Sequence, residues 1–290
     1  MFFGWRTPLI NEPQKRRAAT KPMNKKPKLG QNFLIDPSAA RAIADSLGDL
    51  SKRTVVEIGP GRGAITELLA SRANRLIAIE LDHHMALQLK VQFATDANIE
   101  VMERDILKID FATLARDGEK LAIVGNLPYY ITSDILLRIF AAHDVVAHAL
   151  LMVQREVADR VAALPGTSEY GLLSATAQLY ARVEKLFTLP PSAFAPPPDV
   201  YSTVLRLTMQ PRFEQLGVEP QPFTEFLRRC FAQKRKTLAN NLRAAGYTAQ
   251  HIELALEKSA VSPQIRADAM PLEQAAAVYL ALRHSAPQGR

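Results

Sequence analysis

The sequence predicts an α/β fold, a sheet followed by a smaller helical domain, and three observations predict it. Short β-rich runs alternate with helical stretches from residue 54 onward. A glycine turn, Gly59-Pro60-Gly61-Arg62-Gly63, separates the first of these strands from the first of these helices. Past Met209 the strand pattern gives way to helical stretches alone.

The first folded element is expected near Gln31-Asn32-Phe33-Leu34. A helix follows: Asp36 is its N-cap, Pro37 suits its first position, and Ala39, Ala40, Ile43, Ala44 and Leu47 form an apolar stripe that Gly48 ends. Strands are predicted over Thr54–Ile58, 75–79, 99–102, 121–124 and 147–153, with helices near 64–71 and 83–93. Two later runs, 177–187 and 202–208, read as an antiparallel pair closing the sheet. Between them Pro190-Pro191 and Phe194-Ala195-Pro196-Pro197-Pro198 form a constrained loop. Helices are expected near 222–232, 235–244, 249–258 and 271–283, and prolines and a glycine between 209 and 221 mark a boundary.

The chain has 290 residues, 48% of them hydrophobic, enough for one substantial core and a smaller domain. A single cysteine, Cys230, rules out an internal disulfide framework, and no Cys/His cluster has zinc spacing, so no metal is expected. No apolar run approaches the roughly 20 residues that cross a bilayer. These features suit a soluble cytoplasmic protein. The net charge is +7. Residues 1–28 hold eight basic residues against Glu12 alone, and the rest of the chain has 28 of each sign. Residues 1–27 therefore read as a basic flexible extension, either a solubilising tail or a phosphate contact. Glu12 and several prolines argue against a mitochondrial transit helix.

The glycine turn sits between strand and helix, where missing side chains let a bulky nucleotide approach the backbone. Glu80, ending the next strand, is placed to accept from ribose hydroxyls in a Rossmann-like site. Asp105, past the third strand, either caps a helix or receives the amino group of a cofactor adenine. NAD satisfies the glycines and Glu80 as well. Gly125-Asn126-Leu127-Pro128-Tyr129-Tyr130 after the fourth strand favours S-adenosylmethionine, because it brings an amide, carbonyls and an aromatic face to the same sheet end.

Together the motifs closely resemble the ribosomal RNA adenine dimethyltransferase family, which includes the bacterial small-subunit enzyme. They are Lys28-Leu29-Gly30-Gln31-Asn32-Phe33-Leu34, Glu57-Ile58-Gly59-Pro60-Gly61-Arg62-Gly63, Ile79-Glu80-Leu81-Asp82, Asn126-Leu127-Pro128-Tyr129, the 154–160 segment Gln-Arg-Glu-Val-Ala-Asp-Arg and the 194–202 loop. The resemblance spans roughly residues 24–283. It implies a Rossmann-like methyltransferase domain over 28–209 and a helical RNA-engaging domain over 210–290. It also implies a monomer that methylates N6 of two adjacent adenosines near the 3′ end of small-subunit ribosomal RNA within a precursor subunit. Asn32, Leu34, Gly59, Glu80, Asp105 and Asn126 are its cofactor positions. Arg104 stands where the family frequently has glycine before the acid.

The expected chemistry needs no protein nucleophile. The adenine amine is a poor nucleophile, and the Asn126 side-chain carbonyl with a backbone carbonyl near Leu127 would favour a more pyramidal nitrogen. Tyr129 would stack on the target base and Phe194 would cover its other face. Arg228, Arg229, Lys234, Arg235, Lys236 and Arg243 are candidate phosphate contacts. Two competing readings are a large-subunit methyltransferase of the antibiotic-resistance type and a noncatalytic assembly factor.

Overall fold

The computed structural model describes residues 31–116 and 118–283. The basic extension and the Lys28-Leu29-Gly30 part of the first motif lie outside the described residues. In chain order the elements begin with β1 (Phe33–Leu34), α1 (Pro37–Ser46), β2 (Thr54–Ile58), α2 (Thr66–Ala70), β3 (Arg75–Glu80), α3 (His83–Gln92), β4 (Ile99–Glu103), β5 (Leu121–Asn126) and α4 (Thr132–Ala141). They continue with β6 (Val146–Gln154), α5 (Arg155–Val161), α6 (Leu172–Tyr180), β7 (Ala181–Leu189), β8 (Phe194–Ala195) and β9 (Ser202–Met209). The helices α7 (Phe213–Leu216), α8 (Pro220–Cys230), α9 (Leu238–Ala244), α10 (Ala249–Lys258) and α11 (Leu272–Leu282) complete the described chain.

Seven strands form one sheet in the order β4-β3-β2-β5-β6-β9-β7. The first five are parallel and β9 runs antiparallel to both β6 and β7. The order turns back between β2 and β5. That is the switch point where an α/β sheet leaves a crevice at the carboxyl ends of its strands. The central strands are apolar on both sides because helices cover both faces. Val56, Ile58, Ile77, Ile79, Ile123 and Leu151 face one buried cluster, while Val55, Leu76, Ala122, Val124, Leu150 and Met152 face the other. This is the period-two alternation of a strand.

Local chemistry sets the elements as expected in most places. The Asp36 carboxylate accepts from Ser38 N (2.8 Å) and Ala39 N (3.2 Å) to start α1, and Gly48 takes a φ of +74° just past it. Asp82 does the same for α3, accepting from His84 N and Met85 N. The predicted strand 177–187 is corrected at its front. Residues up to Tyr180 complete α6, which buries Ala175, Ala177, Leu179 and Tyr180, and the strand begins at Ala181. The small and apolar residues there pack equally well on a helix, and tertiary packing selects it. The proline-rich loop is more structured than expected, since β8 pairs antiparallel with β1, Leu34 opposite Phe194.

The helices after β9 share one buried cluster with a face of the sheet. Tyr180 bridges the two, its ring 5.8 Å from Phe140 and 5.0 Å from Phe213. The α5–α6 loop is clipped to the same helices: Gly166 N donates to Asp268 O (2.8 Å) and Lys234 Nζ to Ser168 O (2.7 Å). Tyr170 in this loop is fully buried beside Phe231, and its hydroxyl has no hydrogen-bond partner among the described residues. A buried unsatisfied hydroxyl destabilises the fold. Tyr170→Phe is therefore expected to raise stability by about 1 kcal/mol. The check is a higher urea midpoint at unchanged slope; a lower midpoint would show that the hydroxyl has a partner after all.

Candidate active site

The crevice at the switch point is a single cavity with five walls. They are residues 31–34 around β1, the glycine loop after β2, Glu80 and Leu81 after β3, residues 104–106 after β4, and residues 126–131 after β5. It gathers every sequence-predicted cofactor residue, Asn32, Leu34, Gly59, Glu80, Asp105 and Asn126, together with Leu127 and Tyr129.

The loop geometry explains its glycines. Gly59, Gly61 and Gly63 have φ of +65°, +56° and +80°, a region disfavoured for residues with a Cβ. At Gly61 a Cβ would also lie 2.8 Å from the Phe33 ring. The same ring carries the Arg62 guanidinium, 4.7 Å from its centroid, so β1 and the loop grip each other across the pocket. Glu80, 3% exposed, fastens the loop from the other side. One carboxylate oxygen accepts from Gly61 N (3.0 Å) and the other from Asp82 N (2.9 Å). A carboxylate has about four acceptor sites, so Glu80 can still receive ligand hydroxyls. Asp105 both lines the cavity and caps the short 3-10 turn Ile106–Lys108 through Leu107 N (3.0 Å), which joins the two roles considered for it.

Asn126 ends β5, two residues beyond the predicted strand end. Its Nδ2 donates to the Asn32 carbonyl (2.8 Å), which orients the amide and leaves Oδ1 as the side chain's acceptor. The Pro128 carbonyl already accepts from Ile131 N (3.2 Å) and the Thr132 hydroxyl (3.0 Å). The Leu127 side chain is buried, and its N–H donates to Met152 O (3.0 Å). Tyr129 is half-buried, with its hydroxyl 3.4 Å from Ser202 Oγ.

Phe194 requires a correction. Its ring is 2% exposed, lies in the cluster that holds Leu34, Leu189 and Val204, and does not line the cavity. Pairing of β8 with β1 fixes it there. It supports the wall that carries Asn32 and Leu34 and does not cover a base in this arrangement.

Glu57 is a pocket residue that the sequence reading did not single out. It is 2% exposed and accepts from Thr66 Oγ1 (2.6 Å). The available signal was the position of a carboxylate inside the β-rich Thr-Val-Val-Glu-Ile run, where burial of both strand faces would bury it too. Burial pushes its pKa from 4.5 to about 7, against the opposing Thr66 hydrogen bond and with a further upward push from Glu80. Above pH 4.5 the unfolded chain has released this proton while the folded chain still holds it, so stability falls as pH rises through that window. The whole effect is on the order of 3 kcal/mol. Glu57→Gln keeps an acceptor for Thr66 and removes the titration. The stability difference between variant and parent, from urea unfolding, is expected to grow in the variant's favour from pH 5 to pH 8, and parallel pH profiles would count against the assignment.

No histidine lines the cavity, and no group of three or more His, Cys, Asp or Glu that could hold a metal occurs among the described residues. No described helix is long and apolar enough to cross a membrane. Residues 23–283 match the family model described as ribosomal RNA adenine dimethylase. The chain is 58% identical over 270 residues to the ribosomal RNA small subunit methyltransferase A of Acidobacterium capsulatum, covering 93% of this chain and 95% of that one. It is 54% identical to the protein of the same name from Koribacter versatilis, covering 89% and 95%. Among solved structures, a dimethyladenosine transferase from Plasmodium falciparum superposes with a TM-score of 0.75 at 24% identity, covering 87% of this chain and 98% of that one. The 23S rRNA methyltransferase ErmE gives 0.66 at 26%, covering 87% and 100%. With the match running through all of the described residues, the chain belongs to the ribosomal RNA adenine dimethylase family.

Proposed function

We propose that this chain transfers methyl groups from S-adenosylmethionine to N6 of two adjacent adenosines near the 3′ end of small-subunit ribosomal RNA. The observation that carries the reading is the convergence of the glycine loop, Glu80 and Asp105 with Asn126-Leu127-Pro128-Tyr129 in one cavity. The donor set fits the cofactor. Glu80 keeps acceptor capacity for hydroxyls, Asp105 can accept from an adenine amine, the positive-φ loop admits close backbone approach, and Asn32, Leu34, Gly59 and Asn126 complete the lining. When bound, S-adenosylmethionine supplies a methyl activated by its positive sulfonium.

The chain's own part is to present the amine. Asn126 Oδ1 and the Leu127 carbonyl accept from it, which draws its lone pair out of conjugation, and Tyr129 offers a ring on which the base stacks. Only contacts that strengthen toward the transition state accelerate the reaction. The exposed Lys234, Arg235, Lys236 and Arg243, with Arg228 beside Glu225, are suited to grip phosphates and make residues 210–290 the RNA-engaging part of a cytoplasmic, monomeric enzyme. The precursor subunit is its partner in this reading.

Unmodified small subunits incubated with labelled methyl donor should yield dimethyladenosine at two neighbouring positions in nucleotide-resolved mapping. Selective methylation of large-subunit RNA, or binding without product, would overturn the reading. Misplacement of the reacting atoms by about 1 Å costs on the order of 100-fold. Asn126→Ala is therefore expected to lower kcat by about 100-fold, equivalent to about 2.7 kcal/mol, in single-turnover assays.

A further inference from the structure

A second aromatic group stands at the same end of the sheet as Tyr129, and the proposed chemistry does not use it. Strand β6 ends at Gln154, paired with Ser202 at the start of β9. The pairing is extended by one more hydrogen bond, from Arg155 N to Tyr201 O (2.9 Å). The Arg155 guanidinium sits over the Tyr201 ring, 5.3 Å from its centroid. Tyr201 is 47% exposed, and its neighbour Val200 is 42% exposed. The ring is thus contacted by a cation and about half exposed to solvent.

Its position relates it to the pocket in two ways. Ser202, the next residue, touches the Tyr129 hydroxyl through its own hydroxyl. In the parallel β5–β6 pair, Asn126 stands opposite Met152, three residues before Arg155. With strand spacings of about 4.8 Å and rises of about 3.3 Å per residue, Arg155 lies roughly 11 Å from Asn126 along the backbone frame. The Arg155–Tyr201 pair therefore stands beside the pocket without lining it. Tyr130, 61% exposed, lines the cavity.

We propose that Tyr201 and Arg155 form a stacking platform for a nucleotide flanking the target adenosine, with the ring taking the base and the guanidinium steadying the ring and facing a phosphate. The proposal rests on the RNA reading above and adds a specificity element to it. A site that treats two neighbouring adenosines must hold one outside while the other is in the pocket, and a base unstacked from its strand needs a new partner. Tyrosine rings and guanidinium planes are the groups on which unstacked bases settle, and an aromatic platform accepts any base. Tyr201 is a positioning residue here, since it touches neither the reacting amine nor the cofactor.

Tyr201→Ala, Tyr201→Leu and Tyr201→Phe separate stacking from bulk. Loss of one base–aromatic stack corresponds to a change on the order of 10-fold. Steady-state methylation of unmodified small subunits is expected to show KM for the particle raised about 10-fold in the Ala and Leu variants, with kcat within about twofold, and Phe close to the parent. Affinity for S-adenosylmethionine, read by calorimetry on each variant, should stay at the parent value and so report an intact pocket. A parental KM in Tyr201→Ala, or the same rise in Tyr201→Phe, would overturn the platform while the unsubstituted protein still methylates its substrate. If the unsubstituted protein forms no product, the RNA reading fails and the platform fails with it.

Discussion

The close approach of β2 and β5 is the constraint on which the site depends. At Gly125 a Cβ would meet the Ile58 carbonyl oxygen at 2.6 Å, so only glycine lets the two strands run this near at their carboxyl ends. The glycine loop leaves one of these strands and the Asn126–Tyr130 turn leaves the other. Two segments that line one cavity are thereby anchored to the ends of adjacent buried strands. Glu80 then fixes the loop from β3 and the Asn126–Asn32 hydrogen bond fixes β1 across the mouth. Each of these contacts has one end on the sheet, so the rigidity of the core passes directly to the pocket.

Much of this was legible in the sequence because the signals were local. The strand Thr54–Ile58 is a short β-branched run ended by Gly-Pro-Gly, and its predicted limits match the structure. Asp36 with Pro37, and Gly48 after the stripe, similarly defined α1. The errors fall where the deciding interaction is distant. Residues 177–180 carry alanine, leucine and tyrosine that suit either periodicity, and only packing of α6 beside α4 and α8 makes them helical. No property of Phe194 itself indicates whether its ring faces a base or the core. That is settled by pairing with Leu34, 160 residues earlier. A two-residue strand has no pattern from which to read it. Glu57 was legible in principle, but as a glycine-motif residue it was read for the backbone turn and not for its carboxylate.

The charged residues differ in burial between the cavity and the surface. Of the charged side chains lining the cavity, the acids Glu57 and Glu80 are buried, Asp105 is partly buried, and Arg62 and Arg104 are exposed. A buried carboxylate favours a cationic ligand over a neutral one, and the share of Glu57 in this is limited because burial holds its proton up to about pH 7. Exposed basic residues are spread over the described surface, and Lys234, Arg235, Lys236 and Arg243 form one run of them on and beside the C-terminal helices, where solvent screening is high and each contributes little to stability. Such charges act on a polyanion by releasing its counterions, an effect that works from the surface and needs no burial. Burial of Glu57 and Glu80 keeps two of the lining acids away from the solvent-facing side of the cavity, where a carboxylate would repel an approaching phosphate chain.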